Sequence, residues 1–225
     1  LILEEEKLYK DLIRNKVFDF FANSFLVECS LEDKKEEKVI FALMNTKRQK
    51  EYRIGTKIDE AGKVKKFALE DNENIQNHLV KCAKNMEKLK SFGLKVLPYR
   101  TEGKELVADY VELPTIADML CNAAKEKNRE SIWDLFDKLL KEIESSSDPA
   151  EQKECLIYEL GLDEYKEEKN YGKILKEGYV DMIPRNGFME PEGNFLWFDQ
   201  EWVLDHIPSS FIFFKGVAET YSSFP

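Results

Sequence analysis

The pattern of apolar and polar positions predicts strands in the first half of the chain. Short runs rich in β-branched and aromatic residues, separated by polar turns, occur in "NSFLVECS", "KVIFALMN", "EYRIGTKI" and "KVKKFAL". Runs of this length and composition are typical of β-strands, and short turns between consecutive strands favour antiparallel pairing. The pattern therefore predicts a four-stranded antiparallel sheet.

A long helix is predicted after this sheet, from about Asp71 to Ser91, and Gly93 is expected to end it. Two further strands follow, in "LKVLPYR" and "ELVADYVEL". The apolar positions of the helix recur at steps of four and three residues, which places them on one face. These positions are Ile75, Leu79, Cys82, Met86 and Leu89.

Beyond Pro114 the pattern changes to amphipathic helices, in "TIADMLCNAAKEK" and "ESIWDLFDKLLKEIESS". The second helix is expected to bury its large apolar residues, which are Ile132, Trp133, Phe136, Leu139, Leu140 and Ile143. We therefore predict an α+β fold with three parts. Residues 1–21 form a charged helical lead-in, residues 22–111 a β-sheet lobe, and residues 112–225 a mostly helical lobe.

Composition narrows the possible functions. The formal net charge of −10 argues against non-specific nucleic-acid binding, which requires a basic face. No apolar run approaches the roughly 18 residues of a membrane span, so no membrane span is expected. The chain begins with Leu1 and no signal region, which indicates a piece of a longer protein. The four cysteines lack metal-ligand spacing, so reduced thiols in a cytoplasmic protein are favoured over disulfides or zinc.

Candidate chemistry lies in "YVDMIPRNGFMEPEGNFLWFDQEW". Asp181 is the one aspartate of the chain with an asparagine five positions later, at Asn186. The following segments "GFM" and "FLWF", joined by "EPEGN", predict a β-hairpin that returns the chain to its starting edge. The hairpin would bring Asp199 close to Asn186, and their oxygens are ligands that Mg²⁺ prefers. Asp181 would remain free to accept a proton from an attacking hydroxyl.

With these motifs the sequence resembles the protein-kinase-like superfamily. "DMIPRN" looks like the catalytic loop, and "FDQE" looks like the metal-binding segment in the "D-x-E" form of small-molecule and sugar kinases. "FANSFLVE", "VIFALMNTKRQKEYRIGTKI" and "VKKFAL" extend the resemblance to the kinase domains of bacterial O-antigen kinase–methyltransferases and related glycosyltransferase-linked proteins. The resemblance implies a bilobal kinase-like fold that binds ATP and Mg²⁺, with Asp181 as catalytic base and Asn186 and Asp199 as metal ligands.

The resemblance also implies a strand lysine that neutralises the phosphates. Lys66 is favoured over Lys65, because Lys66 shares a strand face with Val64 and Ala68. A helix carboxylate should hold this lysine. Glu87 is expected in that role.

Glu73, another carboxylate of the predicted helix, lies in its first turn and is expected to stabilise the helix N-terminus. For the nucleotide, Lys47, Arg48 and Lys50 could bind phosphate oxygens in place of a glycine-rich loop, which the sequence lacks, or could form a solvated turn. The linker over residues 109–113, with Asp109 and Val111, would take the adenine through backbone groups.

Departures from protein kinases argue against a regulated protein kinase and for a small-molecule or carbohydrate substrate. Tyr179 replaces the histidine two positions before the catalytic aspartate, and no "APE" segment is present. His78 and His206 are expected to be structural or exposed, and Glu201 to be a second metal ligand or an exposed carboxylate. The predicted function is phosphate transfer to a sugar hydroxyl, at the end of a surface polysaccharide, by a chain fused to a methyltransferase or glycosyltransferase in the cytoplasm or at the inner face of the membrane. The alternatives are an inactive pseudokinase or scaffold and a plain α+β interaction domain.

Overall fold

The computed structural model describes residues 12, 14–17, 38–160 and 171–222. The chain divides into two compact units, Leu1–Glu37 and Lys38–Pro225. In the first unit the described residues form a helical turn, in which the Val17 N–H donates to the Leu12 carbonyl. The predicted strand "NSFLVECS" and most of the predicted helical lead-in lie outside the described residues. The second unit carries every element discussed below.

A five-stranded antiparallel sheet forms the first part of this unit, in the order β1-β2-β3-β5-β4. Its strands are β1 Val39–Met44, β2 Ile54–Asp59, β3 Lys63–Ala68, β4 Arg100–Glu102 and β5 Glu105–Asp109. The predicted strand "LKVLPYR" is wrong over most of its length, since only Arg100 belongs to β4. Pro98 lacks the N–H that a strand interior needs, and Val96 instead forms a parallel bridge with Trp197.

Among residues 38–160 and 171–222, five helices accompany the strands: α1 Glu73–Ser91, α2 Ile116–Lys125, α3 Arg129–Ser145, α4 Leu156–Glu159 and α5 Ser209–Ser222. Local hydrogen bonds explain where α1 and α2 begin. The Asn72 side chain accepts the Asn74 N–H at 2.9 Å, and Thr115 and Asp118 form a reciprocal capping box. Gly93, at φ 87°, follows the end of α1 as expected. The predicted α+β class is confirmed.

Two small antiparallel pairs lie among the later helices. β7 Gly187–Met189 and β8 Phe195–Trp197 form the predicted hairpin. β6 Ile174–Tyr179 pairs with β9 Val203–Pro208. The sequence patterns did not point to this second pair, because each strand lies beside segments of helical or irregular character. Short 3-10 helices occur at Lys50–Tyr52, Gln152–Glu154 and Pro184–Asn186.

Two hydrophobic clusters hold these elements together. The smaller one lies between the sheet and α1 and contains Ile54, Ile75, Leu79, Cys82 and Leu106. The larger one joins α2, α3 and α5 to the two strand pairs and includes Trp197, Phe195 and Tyr179, which are all fully buried. The proposed lobe boundary at residue 111 stays a prediction.

One predicted core residue is exposed. Trp133 is 73% accessible, whereas Leu139 and Ile143 on the same helix are fully buried. Helical geometry explains the difference, since Trp133 lies one residue past Ile132 and therefore on the flank of the apolar stripe. Among the helices of the described ranges, none is long and apolar enough to cross a membrane. Cys82, Cys121 and Cys155 are free thiols, and Cys29 lies outside the described residues.

Candidate active site

Asp181 lies in the loop that follows β6, and main-chain donors fix its carboxylate. Its Oδ2 accepts the N–H of Trp202 at 3.1 Å and that of Glu201 at 3.3 Å. The Nζ of Lys215, from α5, lies 3.3 Å from Oδ1 and also donates to the Val180 carbonyl at 2.7 Å. Burial raises the pKa of Asp181 above its ordinary value, against the opposing charge of Lys215. A carboxylate with a raised pKa is a better proton acceptor.

Asn186 lies between the two aspartates, as the predicted hairpin requires. The side-chain Nδ2 of Asn186 donates to the backbone carbonyl of Asp181 at 3.1 Å. The backbone carbonyl of Asn186 accepts the N–H of Phe198 at 3.0 Å. The ring of Phe198 stacks on Phe188, with centroids 4.4 Å apart, which fastens the two arms of the hairpin. The hairpin therefore brings Asn186 to the residue that precedes Asp199.

Asp199 adopts an uncommon backbone conformation, with φ 58°. Residues other than glycine seldom adopt this left-handed region, although aspartate and asparagine do so more readily than most, and such residues cluster at functional sites. Asp199 stands in the segment between β8 and β9.

The donor set of Asn186 and Asp199 fits Mg²⁺. The side-chain nitrogen of Asn186 donates to the Asp181 carbonyl, which leaves the side-chain oxygen Oδ1 as a possible metal ligand. Asp199 supplies a carboxylate. The described residues contain no group of three or more His, Cys, Asp or Glu side chains that could hold a metal ion. Mg²⁺ does not require such a cage, since it commonly uses one or two protein ligands together with water and substrate phosphates.

Lys66 points from β3 to the same place. It is 5% exposed, its Nζ contacts the Asp199 carboxylate directly, and it lies 3.3 Å from Oε1 of Glu201. Burial alone would lower the pKa of Lys66, but the neighbouring carboxylates, Asp199 first, outweigh burial and raise it above its ordinary value. Lys66 is therefore a permanent cation. Lys65 pairs with Asp59 at 3.1 Å, so the two lysines leave the strand on opposite faces, as strand alternation predicts.

Glu201 is the anchor of the cationic side chains. Its Oε2 accepts a hydrogen bond from Arg48 and lies 3.3 Å from Nε2 of His78, while Oε1 faces Lys66. It is 3% exposed, so it is not the exposed carboxylate that the sequence left open. Burial would raise the pKa of Glu201, but the His78 hydrogen bond and the charges of Lys66 and Arg48 hold it well below its usual range. Glu201 is consequently a fixed anion.

The expected pairing of Lys66 with Glu87 is wrong. Glu87 is exposed on α1, and the carboxylates that contact Lys66 belong to Asp199 and Glu201. The helix face near the lysine carries Cys82 and Asn85 instead. Burial raises the pKa of Cys82 to about 12, so its thiol stays neutral. The helical period explains the error, because Glu87 lies just past the buried Met86, on the solvent side of the stripe.

Asn85 gives α1 a different role in the site. Its Nδ2 donates to the carbonyls of Gln200 at 2.9 Å and Glu201 at 3.3 Å. The Gln200 amide in turn donates to the Asp181 carbonyl at 3.0 Å. The helix therefore holds the backbone of Gln200 and Glu201, and Gln200 holds the loop that carries Asp181.

The remaining predicted nucleotide contacts are less closely gathered. Lys47 is exposed, and Arg48 is half-buried against Glu201. At the linker, the exposed Asp109 pairs with Lys63 and lies 3.6 Å from Arg100, while Val111 is half-buried. The roles of these residues toward a nucleotide stay predictions.

Four contributors to the site were not expected from the sequence: Glu201 as an anchor, His78, Lys215 and the backbone N–H of Trp202. Lys215 carries a usable signal, since it is the single basic residue of the largely apolar helix α5. His78 and Glu201 carry none, because their meeting depends on a contact between residues 123 positions apart.

Neither a family model nor a curated protein matches this chain. Distant similarities to solved structures include three phosphotransferases. The macrolide 2'-phosphotransferase MphH from Brachybacterium faecium, as apoenzyme, has a TM-score of 0.39 at 10% identity, covering 82% of this chain and 71% of its own. A type I macrolide 2'-phosphotransferase has a TM-score of 0.39 at 10% identity, with coverages of 100% and 86%.

An aminoglycoside phosphotransferase from Alicyclobacillus acidocaldarius has a TM-score of 0.34 at 12% identity, covering 89% of this chain and 72% of its own. TM-scores of this size carry no argument about function. The function is therefore argued from the residues of this chain.

Proposed function

We propose that the chain is an ATP- and Mg²⁺-dependent phosphotransferase that acts on a sugar hydroxyl. The observation that carries this proposal is the contact between Lys66 of β3 and Asp199, beside an Asp181 carboxylate held by the N–H groups of Glu201 and Trp202. A phosphate-neutralising cation, a metal-binding carboxylate and a proton acceptor thus converge from three separate elements. These are the groups that phosphoryl transfer to a hydroxyl needs.

Each residue has a defined part in the transfer. Asp181 orients the acceptor hydroxyl and takes its proton as the oxygen bonds to the γ-phosphorus of ATP, while the bond to the β-phosphate oxygen breaks and ADP leaves. Lys66 neutralises phosphate charge, and Glu201 keeps Lys66 in place. Asn186 and Asp199 would hold Mg²⁺, which when bound supplies further positive charge at the phosphate oxygens.

The end of a surface polysaccharide is the acceptor that the motif resemblance favours. The same resemblance supports fusion to a methyltransferase or glycosyltransferase and a cytoplasmic location at or near the inner face of the membrane. An inactive pseudokinase is the competing proposal. Two observations favour the pseudokinase. The sequence lacks G-x-G-x-x-G, and Arg48, which was expected to bind phosphate, pairs with Glu201 instead.

Calorimetry of ATP binding with and without Mg²⁺ tests the proposal, with Asp199→Asn as the variant. The substitution keeps the size of the side chain but removes its charge, so we expect Mg²⁺-dependent affinity to fall about 10–100-fold, a typical loss at metal sites. Asp205→Asn, an exposed aspartate on β9, is the control and should bind as wild type. Equal affinity of all three proteins, with and without metal, would contradict the metal site.

Transfer is then measured with radiolabelled ATP and a panel of sugar acceptors. Phosphorylated sugar from wild type but not from Asp199→Asn supports the enzyme. ATP binding without transfer to any acceptor would make the pseudokinase the better account.

A further inference from the structure

A cavity of about 460 Å³ lies between α1 and the 3-10 helix Lys50–Tyr52, and its lining includes none of the residues expected to bind the nucleotide. Its volume is within the range of small-molecule sites, roughly 300–1,000 Å³. Three aromatic or imidazole rings and four polar side chains line it: Tyr52, His78, Trp202, Glu51, Asn74, Asn77 and Lys81.

The floor of the cavity is a compact group of rings. The centroids of Tyr52 and Trp202 are 4.8 Å apart, those of His78 and Trp202 5.0 Å, and those of Tyr52 and His78 5.2 Å. His78 is buried and bonded to Glu201, whereas Tyr52 and Trp202 are half-buried and so retain accessible ring surface. The planes of Tyr52 and Trp202 are 71° apart and those of Tyr52 and His78 are 68° apart, so these rings pack edge to face and brace one another.

The rim of the cavity is polar and comes from one face of α1. Asn74, Asn77 and Lys81 are spaced by three and four residues, which aligns them along the helix, and all three are exposed. Glu51 stands across from them, in the 3-10 helix Lys50–Tyr52. Amide, ammonium and carboxylate groups around an aromatic floor can bind several hydroxyls while the rings cover an apolar face.

The position of the cavity suits an acceptor better than a nucleotide. Trp202 contributes both a ring to the floor and the backbone N–H that holds Asp181 Oδ2 at 3.1 Å. Tyr52 follows the basic loop that carries Arg48, on the side where the resemblance places the phosphates. A hydroxyl compound in the cavity would thus contact the residue whose backbone N–H bonds the proton acceptor.

We propose that this cavity is the acceptor subsite and binds one sugar ring, with the apolar face of the sugar on the ring of Trp202 and its hydroxyls on Asn77 and Lys81. The role of the bound sugar as a phosphate acceptor rests on the proposed function. The binding of the sugar does not. The recognition of the sugar is thus assigned to α1 and the 3-10 helix, and not to the hairpin that carries the metal ligands.

The test uses Asn77→Ala, Lys81→Ala and Trp202→Leu, with Trp202→Phe as the conservative partner. Lys84→Ala is the matched control, since Lys84 is an exposed lysine of the same helix outside the cavity. Ligand-detected NMR measures binding of the methyl glycosides of glucose, galactose, mannose and glucuronic acid, with and without a non-hydrolysable ATP analogue and Mg²⁺. Steady-state kinetics measures the KM of any glycoside that wild type phosphorylates.

We expect Asn77→Ala and Lys81→Ala each to weaken glycoside binding about 3- to 10-fold, as the loss of one hydrogen bond does. Trp202→Leu should weaken binding at least as much, Trp202→Phe should restore most of it, and Lys84→Ala should match wild type. The ATP analogue should not displace the glycoside. Displacement would make the cavity a nucleotide site and overturn the inference.

The outcomes separate the inference from the proposed function. If wild type phosphorylates a glycoside and the cavity variants leave its KM unchanged, the cavity assignment is wrong and the phosphotransferase stands. If wild type binds a glycoside through Asn77 and Lys81 but transfers no phosphate, the cavity stands and the proposed activity falls. If no glycoside binds, the cavity is not a sugar subsite.

Discussion

Asp181 and Glu201 are neighbouring carboxylates with opposite environments. Asp181 is held by two backbone N–H groups and a single lysine at 3.3 Å, and burial raises its pKa. Glu201 is more deeply buried, yet Lys66, Arg48 and His78 surround it, and its pKa lies well below its ordinary value. Two acids whose environments move their pKa values apart serve different tasks.

The difference lies in the partners that each carboxylate meets. The hydrogen bond with His78 and the charges of Lys66 and Arg48 keep the pKa of Glu201 low, so Glu201 stays charged near neutral pH and positions the two cations. Asp181 has one cationic partner, Lys215, and the fixed charge of Glu201 adds to the rise of its pKa. Glu201 is therefore suited to a structural role and Asp181 to proton transfer.

The largest effect is expected for Asp181→Asn. The amide keeps the shape and can still accept hydrogen bonds, but it cannot take a proton, so phosphate transfer should fall roughly 10²–10⁴-fold. Affinity for ATP should stay near that of wild type, and Asp205→Asn should transfer normally. Transfer by Asp181→Asn at the wild-type rate would assign proton transfer to another group.

Glu201→Gln should act on stability instead. The change removes a buried charge from beside Lys66 and Arg48, and breaking a buried pair in this way typically costs about 3 kcal/mol of the free energy of unfolding. Glu102→Gln is the control, because that glutamate forms an exposed pair with Arg100, and exposed pairs contribute little to stability. Chemical denaturation measures both. Equal losses would show that Glu201 is not an anchor.

The pH dependence of that loss sharpens the comparison. A carboxyl whose folded pKa is lowered contributes stability that is full above its unfolded pKa and is lost as pH falls toward the folded value. For Glu201 the loss should begin near its ordinary value of 4.5 and continue below it. The difference in stability between wild type and Glu201→Gln, measured without added metal, should shrink over that range. A constant difference would contradict the low pKa of Glu201.

The sequence could predict those parts of the site that lie close together along the chain. The hairpin between Asn186 and Asp199 follows from its turn residues and flanking aromatics, and strand alternation separates Lys66 from Lys65. Each of these inferences uses local spacing, which backbone geometry determines. The α+β class follows in the same way, from periods of two and of three to four residues.

Contacts between distant segments could not be predicted in this way. Lys66 and Glu201 are 135 positions apart, and Lys215 and Asp181 are 34 apart. Such pairs depend on how elements that are distant in the sequence pack against one another, and a single sequence does not contain that packing. The period of α1 shows which residues are buried but not which of them meets a lysine on another element. The error at Glu87 has this origin.

The smallest effect is expected for Glu87→Gln, and its smallness is informative. In the kinase-like scheme a helix carboxylate positions the strand lysine, whereas here Glu201 contacts Lys66 and Glu87 is exposed. We therefore expect the substitution to change the free energy of unfolding by less than about 0.5 kcal/mol, as is usual for surface positions, and to leave the KM for ATP within twofold. Denaturation and steady-state kinetics measure the two quantities, with Lys84→Ala as a control on the same helix.

A tenfold rise in the KM for ATP would mean that α1 turns when nucleotide binds and brings Glu87 to Lys66. In that case Glu201 would be an anchor of the nucleotide-free protein alone, and its contrast with Asp181 would belong to one state of the catalytic cycle.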